Sequence, residues 1–200
     1  MEYKQAVSDS ELIQRYSNGD GRAFELLVNR YNRPLTAYLR RMVSDKHAAD
    51  DLFQETFFKV IKALPRYQER GKFSSWLFGI ANHVAVDYLR RQKRTKQHLY
   101  TECGEIKENE SMQYKDESNP LPDKEYDRLE LKGILSQAVE KLPVEQKQVL
   151  LLRQYSGMTF KEIATQIDCP LNTVLGRMRY ALLNLRKIMT NEFGEFDHVL

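Results

Sequence analysis

Apolar residues recur three and four apart along most of this 200-residue chain, and nowhere does the sequence alternate at period two over any length. A half-buried strand needs that alternation and a packed helix needs the longer period, so the chain is expected to be all-α, with no sheet. Ser8-Asp9-Ser10-Glu11 has capping-box spacing and opens a short helix to about Asn18, which Gly19-Asp20-Gly21 breaks. Phe24, Leu27, Val28, Tyr31, Leu35, Tyr38, Leu39 and Met42 then line one side of a longer helix that Pro34 is expected to kink. Ser44 or Asp45 caps a third helix ending near Leu64-Pro65. Its buried side holds Ala49, Leu52, Phe53, Thr56, Phe57, Val60 and Leu64, and its other side holds Asp51, Gln54, Glu55, Phe58 and Lys62. Phe58 is a large apolar residue among charges, an arrangement suited to anchoring a protein partner inside a polar ring. Single exposed apolar residues are also common on surfaces that bind nothing.

From Leu64 to Trp76 runs a loop with proline, glycine, Tyr67, Phe73 and the only Trp, feeding a helix from Leu77 to Arg94. At 100° per residue, Leu77, Ile80, Ala81, Val84 and Tyr88 share a core-facing stripe. Opposite them lie Gly79, Asn82, His83, Val86 and Arg90, a face left for a partner. Gly79 costs on the order of 1 kcal/mol relative to Ala in a helix interior, so another constraint is expected to keep it small. Aromatic rings in a loop beside the basic end Arg90-Arg91-Gln92-Lys93-Arg94 supply what single-stranded nucleic acid requires, rings for bases and cations for phosphates. The same residues would serve equally as core and as a favourable cationic helix terminus.

The net charge of +3 is small, but its distribution is uneven. From Arg70 to Lys96 seven basic residues face one acid, and from Glu102 to Asp127 nine acids face three lysines. A basic patch followed by an acidic tether is charge placed for a polyanion. Helical periodicity fades after Arg94, and Thr95 to about Asp123 reads as a mobile linker. Two small helical domains, 1–95 and 125–200, are therefore expected, joined by a flexible acidic linker, 96–124. No apolar run reaches the roughly 20 residues that span a bilayer, and the start lacks a signal peptide's apolar segment, so no membrane insertion is expected. Cys103 and Cys169 have no metal-ligand spacing, which fits a cytoplasmic protein without metal or cofactor.

Helical pattern returns from Glu125 to Lys141, and after Leu142-Pro143 from Val144 to Tyr155, where Ser156-Gly157 stops it. Thr159-Phe-Lys-Glu162 is a second capping box, opening a short helix, Phe160 to Ile167. Asp168-Cys169-Pro170 makes a tight turn into a helix from Leu171 to about Thr190, with Val174, Met178, Ala181, Leu182, Leu185 and Met189 on its buried side. Thr173, Gly176, Arg177, Tyr180, Asn184 and Lys187 point away. Two short helices, a brief turn and a polar, cationic second helix make a helix-turn-helix, whose second helix can enter the major groove of duplex DNA. An ordinary helical hairpin with a charged surface is the alternative.

Taken together, Asp50-Asp-Leu-Phe-Gln-Glu-Thr-Phe57, Phe73-Ser-Ser-Trp-Leu-Phe-Gly-Ile-Ala-Asn82 and Asp87-Tyr-Leu-Arg-Arg91 resemble region 2 of the extracytoplasmic-function (group IV) sigma factors of the sigma-70 family. Leu142-Pro143, Glu162-Ile-Ala164 and Thr173-Val174 followed by Arg177 resemble region 4 of the same group. The resemblance implies a sigma factor directing core RNA polymerase to promoters and initiating transcription. Asp50, Asp51, Gln54, Glu55 and Phe58 would dock on the clamp helices of the polymerase's largest subunit. Tyr67, Lys72, Phe73, Ser74, Trp76, Asn82, His83, Arg90 and Arg91 would melt and hold the minus-ten element. Lys161, Thr173, Gly176, Arg177, Arg179, Tyr180, Asn184 and Lys187 would read the minus-thirty-five element, with the flap of the second-largest subunit as region 4's polymerase partner. The acidic linker would pass through the polymerase's RNA-exit path, and a cognate anti-sigma factor would hold the protein inactive by covering these surfaces. Gly79 and His83 depart from the family's frequent Arg and Asn. Asn172-Thr-Val-Leu-Gly176 departs from its usual Gly-Thr-Val-Lys-Ser, and Tyr180 stands where an Arg is common. Losing cationic positions weakens phosphate contacts, so promoter sequence does not transfer by analogy.

An enzyme is the rival from another class, but the chain has no Gly-rich phosphate loop, no His-Glu-x-x-His, no clustered Cys and no Ser/His/Asp set, so no catalytic residue is expected. A second rival is a helix-turn-helix regulator that binds duplex DNA without polymerase.

Overall fold

The computed structural model describes residues 7–68, 71–103 and 133–193. Among them every regular element is helical: α1 (Asp9–Ser17), α2 (Gly21–Val43), α3 (Lys46–Ala63), a 3-10 turn (Leu64–Arg66), α4 (Phe73–Cys103), α5 (133–140), α6 (Val144–Ser156), α7 (Phe160–Gln166) and α8 (Leu171–Phe193). Most of the expected linker, the start of the expected helix from Glu125 and the tail from 194 lie outside the described residues.

Short polar side chains set the helix starts as the spacing predicts. The Ser8 hydroxyl accepts from the Glu11 N–H at 3.2 Å, and Asp45, not Ser44, caps α3 by accepting from the Ala48 N–H at 3.0 Å. Ser44 instead ends α2, with a left-handed φ of 56°. Pro34 sits inside an unbroken α2. Its missing N–H and ring clash cost about 3 kcal/mol in a helix interior, and the burial of Tyr31, Leu35, Tyr38 and Leu39 around it outweighs that cost. The helix expected from Leu77 starts earlier, at Phe73, and runs past Arg94 to Cys103, into what composition alone marks as linker.

Helices α1 to α4 form a first module around Leu12, Leu27, Leu39, Phe57, Leu77 and Ala81, all buried. Helices α6 to α8 form a second around Val149, Leu152, Ile163, Val174 and Ala181. Here Leu182 differs from expectation: it is 53% exposed, because it lies one step round α8 from the Val174–Ala181–Leu185 seam. The modules are in contact, with α6 packed on both α2 and α4. Rings of Tyr38 and Phe78 meet edge to face at 5.4 Å, and Tyr155 of α6 lies 6.2 Å from Tyr38 and 6.5 Å from Phe78.

The capping box of α7 is complete. Thr159 Oγ1 accepts from the Glu162 N–H at 3.3 Å, and the Glu162 carboxylate accepts from the Thr159 N–H at 2.8 Å. Replacing Thr159 with Ala is expected to cost about 1 kcal/mol in urea unfolding followed by circular dichroism. Thr159→Asp, which keeps an acceptor at the cap, is expected to retain most of that stability.

Candidate nucleic-acid interface

The loop aromatics stack mainly on one another. Tyr67 and Trp76 lie 4.4 Å apart, Phe73 lies 5.7 Å from Trp76, and Tyr31 of α2 meets Phe73 edge to face at 5.5 Å. Phe73 is 2% exposed and is therefore the base of this cluster, while Trp76 and Tyr67 are half-buried above it. His83, Arg90 and Arg91 are exposed along α4, and Arg90 lies 3.7 Å from Asp87. Arg70 and the Lys96 side chain lie outside the described residues.

Of the face of α4 that the stripe argument leaves for a partner, Gly79 and Asn82 are covered by the second module, while His83 and Arg90 stay exposed. Asn82 is 2% exposed, and its carbonyl oxygen accepts from the Tyr38 hydroxyl at 3.1 Å and from the Gln148 amide at 2.9 Å. Ser74 donates to the Ser156 carbonyl at 3.4 Å, Lys72 donates to Glu162, and Arg41 donates to the Tyr155 hydroxyl. Gly79 is buried beneath Gln166, whose carboxamide atoms lie 2.5–2.7 Å from where a Cβ would stand. Expectation and structure differ here for a physical reason. Helix α4 is apolar on more than one face in its first half, with Phe78 and Ala85 wholly buried beside the predicted stripe, so a second element packs where a single stripe would leave the helix bare. The run Leu77-Phe78-Gly79-Ile80-Ala81 carries that signal in the sequence.

On α8, Thr173, Arg179, Tyr180 and Lys187 are exposed, with Lys161 exposed on α7, while Gly176 and Arg177 are half-buried. Asn184 turns inward and donates to Gln146 of α6 at 2.9 Å. The turn between α7 and α8 is fixed by the Cys169 N–H donating to the Ala164 carbonyl at 2.9 Å and by Asp168 at a left-handed φ of 48°. On α3, Phe58 is 57% exposed, with the Lys62 ammonium 4.0 Å from its ring centre, and Asp50, Asp51 and Gln54 are exposed around it. Glu55 is half-buried and pairs with Lys59 at 2.9 Å, and Asp50 lies 3.5 Å from Arg40. The exposed side chains Leu26 and Ile61 add apolar area on the first module that the sequence reading does not assign. Among the described residues no cluster of His, Cys, Asp and Glu could hold a metal ion, and no helix is long and apolar enough to cross a membrane.

Residues 27–95 match Sigma-70 region 2, and residues 132–185 match Sigma-70, region 4. The chain is 31% identical over 172 residues to the RNA polymerase sigma-H factor of Pseudomonas aeruginosa, covering 85% of this chain and 88% of that one. It is 33% identical over 175 residues to the ECF RNA polymerase sigma-E factor of Escherichia coli, covering 86% and 89%. Among solved structures it is similar to the sigma factor RpoE bound to the anti-sigma factor NepR from Bartonella quintana, with TM-score 0.63, 17% identity, and 84% and 98% of the two chains covered. It is also similar to CnrH in complex with the cytosolic domain of CnrY, with TM-score 0.60, 22% identity, and 92% and 98% covered.

The Lys72–Glu162 contact predicts a titration. Donation from Lys72, with that from Thr159, holds the Glu162 carboxyl at about 2, below its ordinary 4.5. A depressed carboxylate contributes stability that is fully present above about pH 4.5 and lost as pH falls towards 2. The pair is exposed and its share is modest. Carbon-detected NMR titration is expected to place the Glu162 midpoint near the low value, and Lys72→Ala to raise it. An unmoved midpoint in that variant would show that the two side chains do not meet.

Proposed function

Because this chain belongs to the extracytoplasmic-function group of the sigma-70 family and is an RNA polymerase sigma factor, we propose a division of its surfaces among the steps of initiation. Asp50, Asp51, Gln54, Glu55 and Phe58 dock on the clamp helices of the polymerase's largest subunit. Tyr67, Lys72, Phe73, Ser74, Trp76, Asn82, His83, Arg90 and Arg91 hold the opened minus-ten strand, Phe73 from beneath as support. Lys161, Thr173, Gly176, Arg177, Arg179, Tyr180, Asn184 and Lys187 serve the minus-thirty-five duplex, Asn184 by bracing α8 against α6, and region 4 also rests on the flap of the second-largest subunit. Region 2 occupies 1–95, region 4 occupies 125–200, and the acidic segment 96–124 tethers them. The protein acts in the cytoplasm, without cofactor or catalytic residue, and is held in check by an anti-sigma factor, as RpoE and CnrH are paired with NepR and CnrY in their solved complexes.

The observation that carries this division is α8. Its apolar side is buried, and its N-terminal half presents Thr173, Arg179 and Tyr180 to solvent on a helix-turn-helix that a complete capping box makes rigid. A regulator that bound duplex DNA alone would have no use for the Phe58 face or the aromatic loop of region 2.

Transcription from the chain's own promoters with purified core polymerase tests the reading, and failure to initiate at any of them would overturn it. Phe58→Ala is expected to weaken core binding roughly tenfold or more, as loss of an interface anchor does, with circular dichroism unchanged. Arg177→Ala is expected to lower occupancy of minus-thirty-five DNA and to reduce the salt slope by about 0.9 if it contacts one phosphate.

A further inference from the structure

We propose that the groove between α2 of region 2 and α5, at the start of region 4, is a binding site for a nucleoside polyphosphate. None of the residues lining it belongs to the polymerase or promoter surfaces assigned above, so the site goes beyond that division.

The groove has a volume of about 510 Å³, within the roughly 300–1,000 Å³ of small-molecule sites. Its α2 wall follows from helical spacing. Arg33, Ala37 and Arg40 share one face, with the two arginines two turns, or about 10 Å, apart along the axis. Ala37 stands between them with only a methyl group, so the floor between the guanidiniums is left hollow.

The arginines are arranged for a ligand. Arg33 and Arg40 are exposed, and Arg33 has no hydrogen bond or ion pair among the described residues. Arg40 lies 3.5 Å from Asp50, beyond the roughly 2.7–2.9 Å of a charge-assisted hydrogen bond. Arg41, half-buried beside them, donates to the Tyr155 hydroxyl, which orders its guanidinium and leaves further N–H groups for a ligand. Three guanidiniums gathered on one wall repel one another, and an anion between them removes that cost. Their planar forks match phosphate oxygens two at a time, which lysine cannot do.

The opposite wall says what accompanies the phosphates. Ser136 and Glu140 line it, one turn apart on α5. The buried Lys147 ammonium donates to the Glu140 carbonyl at 2.8 Å, fixing the end of α5 that carries this carboxylate. A carboxylate repels phosphate but accepts from sugar hydroxyls, as acids in dinucleotide sites do from ribose. On α2, the Asn32 side-chain oxygen accepts from the Thr36 hydroxyl at 3.3 Å, which leaves the amide N–H groups as donors. Forks for phosphate with a neighbouring carboxylate acceptor fit a ligand that carries phosphates and hydroxyls together. A nucleic-acid strand fits less well, since its repeating phosphates would bring one against Glu140.

The walls come from two regions, so the bound nucleotide bridges them. Whatever parts α5 from α2 weakens the nucleotide, and the nucleotide opposes that parting to the same degree.

Titration of the full chain with each of the four ribonucleoside triphosphates, followed by calorimetry and by NMR of the arginine Nε–H groups, tests the site. At least one is expected to bind saturably and to shift Arg33, Arg40, Arg41 and the Ser136 amide. Arg33→Gln and Arg40→Gln are each expected to weaken it about tenfold, the loss of a charge-assisted hydrogen bond, with circular dichroism unchanged because both side chains are exposed. Lys93→Gln, on the equally exposed basic end of α4, is expected to leave affinity unchanged. Glu140→Gln is expected to weaken the nucleotide while inorganic triphosphate binds as well as before or better. Binding of none of the four, or binding that survives both arginine substitutions together, overturns the site. Inorganic triphosphate as tight as the nucleotide on the wild type overturns the sugar contact and with it the nucleoside. A short single-stranded oligonucleotide that shifts the same arginines at lower concentration than any triphosphate overturns the small ligand in favour of a strand.

Discussion

The carboxamide of Asn82 sits where two helical modules meet, and its hydrogen bonds tie one to the other. Its oxygen is shared by Tyr38 from its own module and Gln148 from the other. A buried amide without partners costs roughly 1–3 kcal/mol, and Gln148 adds a donor from the other module to the one that Tyr38 supplies. The two residues are a matched pair, and everything else at the contact follows from bringing them together: Tyr155 against Phe78, Glu162 against Lys72, α7 over Gly79.

Helix α4 bears the conflicting demands. One side anchors the region 2 core through Leu77, Ala81 and Val84. The other meets the second module through Gly79 and Asn82, while His83 beside them stays exposed. Gly79 gives up on the order of 1 kcal/mol of helix propensity for closeness of approach. Stability is lent by the neighbouring helices, since Tyr38 and Phe78 are both fully buried and meet edge to face.

Local rules made much of this legible. Caps at Ser8, Asp45 and Thr159, the buried seams of α2 and α3, and the turn at Asp168–Pro170 are each decided by side chains within a few residues, and the structure has them where the spacing places them. What one-face reasoning missed was decided at long range. Asn82 and Phe78 are buried by Gln148 and Tyr155, residues far along the chain, and no periodicity within α4 says which distant helix will arrive. Leu182 was misplaced because an apolar residue at the edge of a stripe belongs to either side, and only the position of α6 decides. Composition marked the residues after Arg94 as linker, yet the i to i−4 bonding of a long helix carries on through polar side chains to Cys103.

Glu162 links the two levels. Its carboxylate completes the capping box that fixes the start of α7, and the same group receives Lys72 across the modules. For Lys72, the fixed carboxylate is an anionic oxygen acceptor already held in place by the cap, so the ammonium meets a partner that needs no further ordering. Glu162 also accepts from Thr159, so the start of α7 does not depend on Lys72. One carboxylate thus ties the start of α7 both to its own capping box and to the residue that precedes α4, which is why the register of the second module and its seat on the first are set by the same side chain.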